Sequence, residues 1–258
     1  MRTVLAVGGS DSGGGAGLQA DLKALHAVGV HACTAVTAVT AQDTLAVHGS
    51  WPVSEQALRA QLRAVLDDIG ADVVKTGMLP SAAAVAAVAD EVGDLPLVVD
   101  PVGVSSTGHQ LSPPEALTAL RERLLPQAVV VTPNLAEVAA LTGFVAVEAD
   151  DLEQAALAVL ALGPRWVLVT GGHLPGDPVD LLHDGTTAHL LRGQRVHTTH
   201  THGTGCTLAA ALAGYLALGE PVPVAAARAK DLVTKALEGS YPLGRGPGPV
   251  HACAAPRG

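Results

Sequence analysis

The run Thr3-Val-Leu-Ala-Val7, the loop Gly8-Gly9-Ser10-Asp11-Ser12-Gly13-Gly14-Gly15-Ala16-Gly17 and the segment Ala16 to Val28, closed by Gly29, read in order as strand, loop and helix. The first is short, aliphatic and β-branched, the second is rich in turn residues, and the third has helical composition. The rhythm recurs downstream. Residues 31–39 read as a second strand, 45–53 as an exposed hairpin or flap, and Ser54 as the cap of a long helix. Further strands are expected at 72–75, 97–100, 128–132 and 166–169, with helices at 81–92, 114–125, from Asn134, and at 151–162. Such alternation predicts an α/β fold, a mostly parallel sheet with helices on both faces and ligands beyond the carboxyl ends of the strands. Residues 179–196, with turns at Asp184-Gly185 and Arg192-Gly193, add a small antiparallel extension. Residues 204–218 and 222–237 are closing helices before a Gly/Pro-rich tail, and no linker divides the chain, so residues 1–258 read as one domain.

Composition narrows the function. With 15 basic and 24 acidic residues the 258-residue chain carries a formal charge of -9, which opposes a nucleic-acid backbone footprint but leaves room for one nucleotide. The 48% of hydrophobic residues are dispersed rather than gathered into a membrane-length run, and the start has no leader pattern. A cytoplasmic protein without a membrane partner is the expectation. Cys33, Cys206 and Cys253 are odd in number and far apart, so they read as free thiols.

The most informative local pattern is Gly203-Thr204-Gly205-Cys206 ahead of an Ala/Leu-rich helix. Glycines let successive N–H groups converge on an anion, and the helix dipole adds to them; an ordinary Gly-rich helix start has the same composition. Cys206 sits where a helix N-terminus can lower a thiol pKa, so base, nucleophile and small buried side chain all remain open. Neither a P-loop nor a Gly-x-Gly-x-x-Gly pattern is present. Asp11 and Asp21 are candidate polar contacts beside the first loop. Asp100 and the Asn134/Glu137 pair stand at strand ends where a hydrated Mg²⁺ can be held, although Asn134 and Glu137 also have the spacing of a capping box. His197, His200 and His202 alternate before the glycines and read as surface or supporting histidines rather than a transition-metal site.

Taken together, Gly9 to Lys23, Thr37-Ala-Val-Thr-Ala-Gln42, Lys75-Thr-Gly-Met78, Val99-Asp-Pro-Val102, Thr132-Pro-Asn-Leu-Ala-Glu137, Gly171-Gly-His173, Thr201-His-Gly-Thr-Gly-Cys206 and Gly248-Pro-Val250 follow one another in a familiar order. In these the chain resembles the hydroxymethylpyrimidine/phosphomethylpyrimidine kinases of thiamine biosynthesis, from residue 1 to about Val250. The resemblance implies a ribokinase-like three-layer α/β/α sandwich. It implies ATP- and Mg²⁺-dependent phosphorylation of 4-amino-5-hydroxymethyl-2-methylpyrimidine and then of its monophosphate, in a homodimer.

By the same resemblance Gly9, Ala16, Asp21, Gln42, Met78 and Val102 surround the pyrimidine, with Gln42 reading its ring nitrogen and amino group. Gly203, Thr204, Gly205 and Cys206 form the catalytic anion hole, with Cys206 near the substrate hydroxyl. Asp100, Asn134, Thr170 and Gly172 face the nucleotide, and Glu137 and Asp100 the Mg²⁺. The chain departs from the family pattern at Ser105-Ser106 and Thr170, where lysines are common, and at His200, where asparagine is common. The rival readings are a pyridoxal or pyridoxine kinase and a catalytically silent pyrimidine-binding regulator.

Overall fold

The structure is a computed structural model that describes residues 1–103, 111–145, 148–172 and 174–253. Among them nine strands form one sheet in the order β3-β2-β1-β4-β5-β6-β7-β8-β9. They are β1 (Thr3–Asp11), β2 (His31–Gln42), β3 (Val47–Pro52), β4 (Val73–Thr76), β5 (Leu97–Val99), β6 (Val130–Val131), β7 (Trp166–Thr170), β8 (Val179–His183) and β9 (Ala188–Arg192). From β2 to β7 every neighbouring pair is parallel, while β3 at one edge and β8 and β9 at the other are antiparallel. The helices are α1 (Gly17–Val28), α2 (Glu55–Leu66), α3 (Ala82–Glu91), α4 (Pro114–Ala119), α5 (Leu135–Thr142), α6 (Leu152–Leu160), α7 (Thr204–Ala217) and α8 (Val222–Glu238).

The period of two along each strand divides the core. Leu5, Val7, Val74, Val99, Val131 and Val167 point to one side and pack with α2, α3, α5 and α6. Val4, Ala6, Val73, Val98, Val130 and Leu168 point to the other and pack with α1, α7 and α8. Burial on both faces explains why these strands read as continuous apolar runs. The three-layer mixed sandwich is thus the expected one, and none of the described helices is long and apolar enough to cross a membrane.

Several boundaries differ from the sequence reading. β1 continues through Gly8, Gly9 and Ser10 to Asp11, because residues 9–11 pair with 38–40 across a register shift at Gly8/Gly9. The expected flap is an edge strand: β3 pairs with the end of β2, setting Val39 opposite Trp51 and Gln42 opposite Val47. The helix expected over 114–125 is α-helical only through Ala119, then widens over Leu120–Leu124 and tightens over Leu125–Gln127 as Pro126 withholds an N–H. Asp184-Gly185 closes the β8–β9 hairpin, whereas Arg192-Gly193 makes no second one: β9 ends there and the chain runs on towards α7. The expected contacts at Ser105-Ser106 and His173 lie outside the described residues.

β1 is followed in the chain by β2 on one side and joined by β4 on the other, so the sheet changes direction of winding between β1 and β4. The crevice at that switch lies beyond their carboxyl ends, where Gly9 to Asp11 and Gly77-Met78 emerge.

Candidate active site

Four clusters line this edge of the sheet. The first is the loop after β1, organised by Asp11. Its carboxylate accepts N–H bonds from Gly13 (2.8 Å), Gly15 (3.0 Å) and Ala16 (2.8 Å) and lies 3.3 Å from His202 Nε2. Burial works against the charge, but His202 and the Ala16 and Gly13 amides outweigh it and hold the carboxyl below its ordinary value. Asp11 therefore shapes the loop from beneath. Gln42, at the end of β2, sits beside it with its amide 3.4 Å from His202 Nε2 and 3.3 Å from Thr40 Oγ1. The one Thr40 hydroxyl proton goes to the Ser10 carbonyl at 2.9 Å, so proton bookkeeping turns the Gln42 amide nitrogen to Thr40 and its oxygen to His202. One amide N–H and one oxygen lone pair of Gln42 then face the crevice.

The second cluster is the start of α7. Gly203 has φ 84°, and a Cβ there would stand 1.9 Å from the Gly15 carbonyl oxygen, so only glycine lets the two loops touch. No side chain caps α7, which leaves the first-turn amides aimed at the crevice as an anion hole needs. The Thr204 hydroxyl and amide both donate to the Thr201 carbonyl, at 2.5 and 3.3 Å, so the amides left to an anion are those of Gly205 and Cys206. Gly9 lies against Met78: a Cβ on Gly9 would be 3.0 Å from the Met78 sulfur. Val102 lines the same small crevice as Gly77.

The third cluster is buried and charged. Lys75 Nζ is bound by both oxygens of Asp21 at 2.9 and 3.0 Å and lies 3.8 Å from Asp100 Oδ2. Burial works to lower the Lys75 pKa, but the negative charges of Asp21 and Asp100 hold it above its ordinary value. Two expectations are corrected here. Asp21 is 1% exposed with both oxygens engaged by Lys75, so it supports the site from below instead of offering a free carboxylate to a ligand. Cys206 is not an activated thiol: loss of solvent pushes its pKa up to about 12, Lys75 opposing and Asp100 and Asp21 adding to the shift. Desolvation is the largest influence on this thiol and favours its protonated form. The sequence reading passed over Lys75, although one lysine inside the apolar run Val73–Thr76 is itself a signal, since lysine is seldom fully buried without a partner.

The fourth cluster joins Asp100 to the β7 end. Asn134 and Glu137 form a full capping box, Asn134 accepting from the Glu137 amide at 2.9 Å and Glu137 from the Asn134 amide at 2.9 Å. Burial, and then the Asp100 charge, raises Glu137 well above the usual carboxylate range; burial likewise raises Asp100 to about 6, with Lys75 opposing and Asp21 reinforcing. Asn134 bridges to Thr170, and Gly171 and Gly172 follow. Mg²⁺ fits these residues. Asp100 Oδ2 and Thr132 Oγ1 are buried without a hydrogen-bond partner among the described residues, and two mutually repelling carboxylates in low dielectric are relieved by a hard cation. The capping box occupies one Glu137 oxygen and leaves the other. No group of three or more His, Cys, Asp or Glu side chains in metal-binding arrangement occurs among the described residues, so waters and phosphate oxygens have to complete the shell, as Mg²⁺ allows.

Residues 11–251 match the sequence profile of the family described as phosphomethylpyrimidine kinase. The chain is 57% identical over 249 residues to the hydroxymethylpyrimidine/phosphomethylpyrimidine kinase of Streptomyces coelicolor, which covers 96% of this chain and 93% of that one. It belongs to the phosphomethylpyrimidine kinase family. Among solved structures, a Bacillus subtilis pyridoxal kinase in complex with ADP superposes with a TM-score of 0.92 at 40% identity, covering 98% of each chain. A phosphomethylpyrimidine kinase from Clostridium difficile does so with 0.81 at 35% identity, covering 92% of this chain and all of that one. Phosphomethylpyrimidine kinase membership makes the chain a phosphotransferase.

Proposed function

We propose that this chain phosphorylates the hydroxymethyl group of 4-amino-5-hydroxymethyl-2-methylpyrimidine with ATP, and then the resulting monophosphate, within one kinase unit. The observation that carries the reading is the packing of Gly203 on Gly15 and Ala16, which sets the uncapped start of α7 against the loop that Asp11 organises. In this reading Gln42 offers one N–H and one lone pair to an aminopyrimidine edge, Met78 and Val102 supply apolar contact, and Ala16 closes the ring side. ATP lies along Asn134, Thr170 and Gly172. A cleft of about 430 Å³ bounded by Arg192, Arg195, Lys230 and Thr234 receives the rest of the nucleotide.

Asp100 and Glu137 would hold Mg²⁺, which when bound supplies positive charge to the phosphate oxygens. The chain does the positioning. The backbone amides of Gly205 and Cys206 face the equatorial oxygens of the transferring group as charge develops on them, and they need no reorganisation at that moment. Cys206 contributes a neutral thiol, its sulfur held by the Gly17 amide, and a loose phosphoryl-transfer transition state demands little of a base.

A coupled ADP-release assay with hydroxymethylpyrimidine, its monophosphate, pyridoxal and pyridoxine tests the reading. ADP release with the first two substrates, in succession, is expected. Faster turnover of pyridoxal would transfer the assignment to the pyridoxal-kinase reading that the Bacillus neighbour suggests. Tight pyrimidine binding without any ADP release would make the chain a silent regulator.

A further inference from the structure

The loop that follows β7 leaves the sheet at Gly171-Gly172 and returns to β8 at Val179, and one arginine from outside it binds three of its carbonyls. Arg195, in the segment between β9 and α7, donates from Nε to the Gly176 carbonyl at 2.6 Å. Its two terminal nitrogens donate to the Gly172 carbonyl at 3.1 Å and to the Leu174 carbonyl at 2.6 Å. The Arg195 backbone N–H adds a bond to Asp177 Oδ1 at 3.2 Å. Three carbonyls of one loop thus converge on one guanidinium, which matches a planar fork of donors and which an ammonium on a flexible stem cannot reproduce.

The inner end of the loop is held separately. Gly171 N–H donates to Asp180 Oδ1 at 3.0 Å, and Asp180 Oδ2 is paired with Lys230 Nζ at 2.7 Å. Asp180 and Lys230 are both buried, and a Cβ on Gly171 would stand 2.3 Å from the Val179 carbonyl oxygen, so this end has no freedom to shift. Arg195 governs the remaining, outer part. Arg195 and Lys230 also bound the 430 Å³ cleft, which places the clamp between that cleft and Gly172.

We infer that Arg195 is a positioning residue for nucleotide binding: it fixes the loop backbone at Gly172, Leu174 and Gly176 in the conformation that receives the ATP phosphates. The inference rests on the nucleotide placement proposed above. It also gives this side of the site a cation beside Gly172 although Thr170 carries none. With three of its five N–H donors on loop carbonyls, Arg195 acts through the loop.

The test compares wild type with Arg195→Gln and Arg195→Lys in the ADP-release assay, together with calorimetric binding of ADP and Mg²⁺, which reads the clamp without turnover. Losing charge-assisted bonds of this kind is expected to raise the KM for ATP and the Kd for ADP by about tenfold in the glutamine variant, with the pyrimidine KM within about twofold of wild type. The lysine variant is expected to remain impaired, since it keeps the charge and loses the fork. Unchanged ADP affinity, an equal rise in both KM values, or full recovery with lysine would each overturn the inference. Should neither variant fold, hydrogen exchange on the wild-type protein decides: ADP with Mg²⁺ must slow exchange at residues 171–177, and no slowing there overturns it. A wild-type protein that binds ADP but turns over no pyrimidine would count against the proposed function and leave the clamp standing.

Discussion

At the residue scale, the site is a set of carboxylates held against their preference. Asp100 has a pKa of about 6 in the folded chain against an ordinary 3.8, so between those values the folded state binds the proton more readily than the unfolded state. The resulting cost to stability is absent below about pH 4, grows through the interval and is complete above about pH 6. The metal-free Asp100→Asn variant is therefore expected to melt higher than wild type at pH 7.5, by a few degrees, and to lose that advantage as the pH falls to 4. It should have little or no kinase activity at either pH. Thermal scans across pH check the first statement; a variant melting lower than wild type at pH 7.5 would mean that the Lys75 contact at 3.8 Å outweighs desolvation. Sequence alone supplied Asp100 and Glu137 as acids at strand ends, because position in an α/β pattern is legible. It could not supply Lys75 as the partner of Asp21, since residues 54 apart meet only when α1 packs on β1 and β4 lies beside β1, nor the raised pKa of Cys206, which follows from burial.

At the element scale, the legible parts were those with strong local periodicity, and the illegible ones were those held by distant backbone. α1, α2, α3 and α8 lie close to their expected limits, Ser54 and Ser81 capping as their chemistry suggests. The extension of β1 to Asp11 was hidden because glycines look like loop while β2 supplies the ladder. The Gly/Pro-rich tail is the clearest case. Read as a tail, it folds back over the site: the His202 amide donates to the Gly248 carbonyl at 3.2 Å and the Val250 amide to the His202 carbonyl at 3.1 Å. The Arg245 and Gly246 amides donate to Thr44 Oγ1 at 3.2 and 3.1 Å. The tail therefore fastens the turn after Gln42 to the strand that carries His202. A Cβ on Gly246 would lie 1.9 Å from the Thr44 carbonyl oxygen, with backbone on both sides, so Gly246→Ala must displace that turn. It is expected to raise the pyrimidine KM several-fold while the ATP KM holds, as steady-state kinetics in both substrates would show; equal changes in the two would make the tail a general brace.

At the scale of the whole molecule, one sheet carries the two regions proposed above to bind ligands. The crevice over β1 and β4 is built on strands buried on both faces, whereas the proposed nucleotide side is built on β7 and the antiparallel β8–β9 pair, held by Asp180, Lys230 and Arg195. The order of strands made the switch point predictable from the βα rhythm, but not which loops touch there, since Gly15 and Gly203 are 188 positions apart and meet only when α1 and α7 pack side by side. That division also predicts how ligands act on stability. Burial raises both the Asp100 and Glu137 carboxylates and the Asp100 charge adds to the rise at Glu137, so a bound divalent cation removes a cost that the empty protein bears, and ADP adds its own linkage. At about a hundredfold excess over Kd the gain is about 2.7 kcal/mol, or about 5–10 °C in melting temperature for a chain of this size. ADP with Mg²⁺ is expected to give a shift of that order, and ADP with a chelator a much smaller one, because the phosphates then face the two carboxylates without the cation between them. Equal shifts with and without Mg²⁺ in a thermal melt would separate nucleotide binding from Asp100 and Glu137 and assign those two side chains a structural role alone.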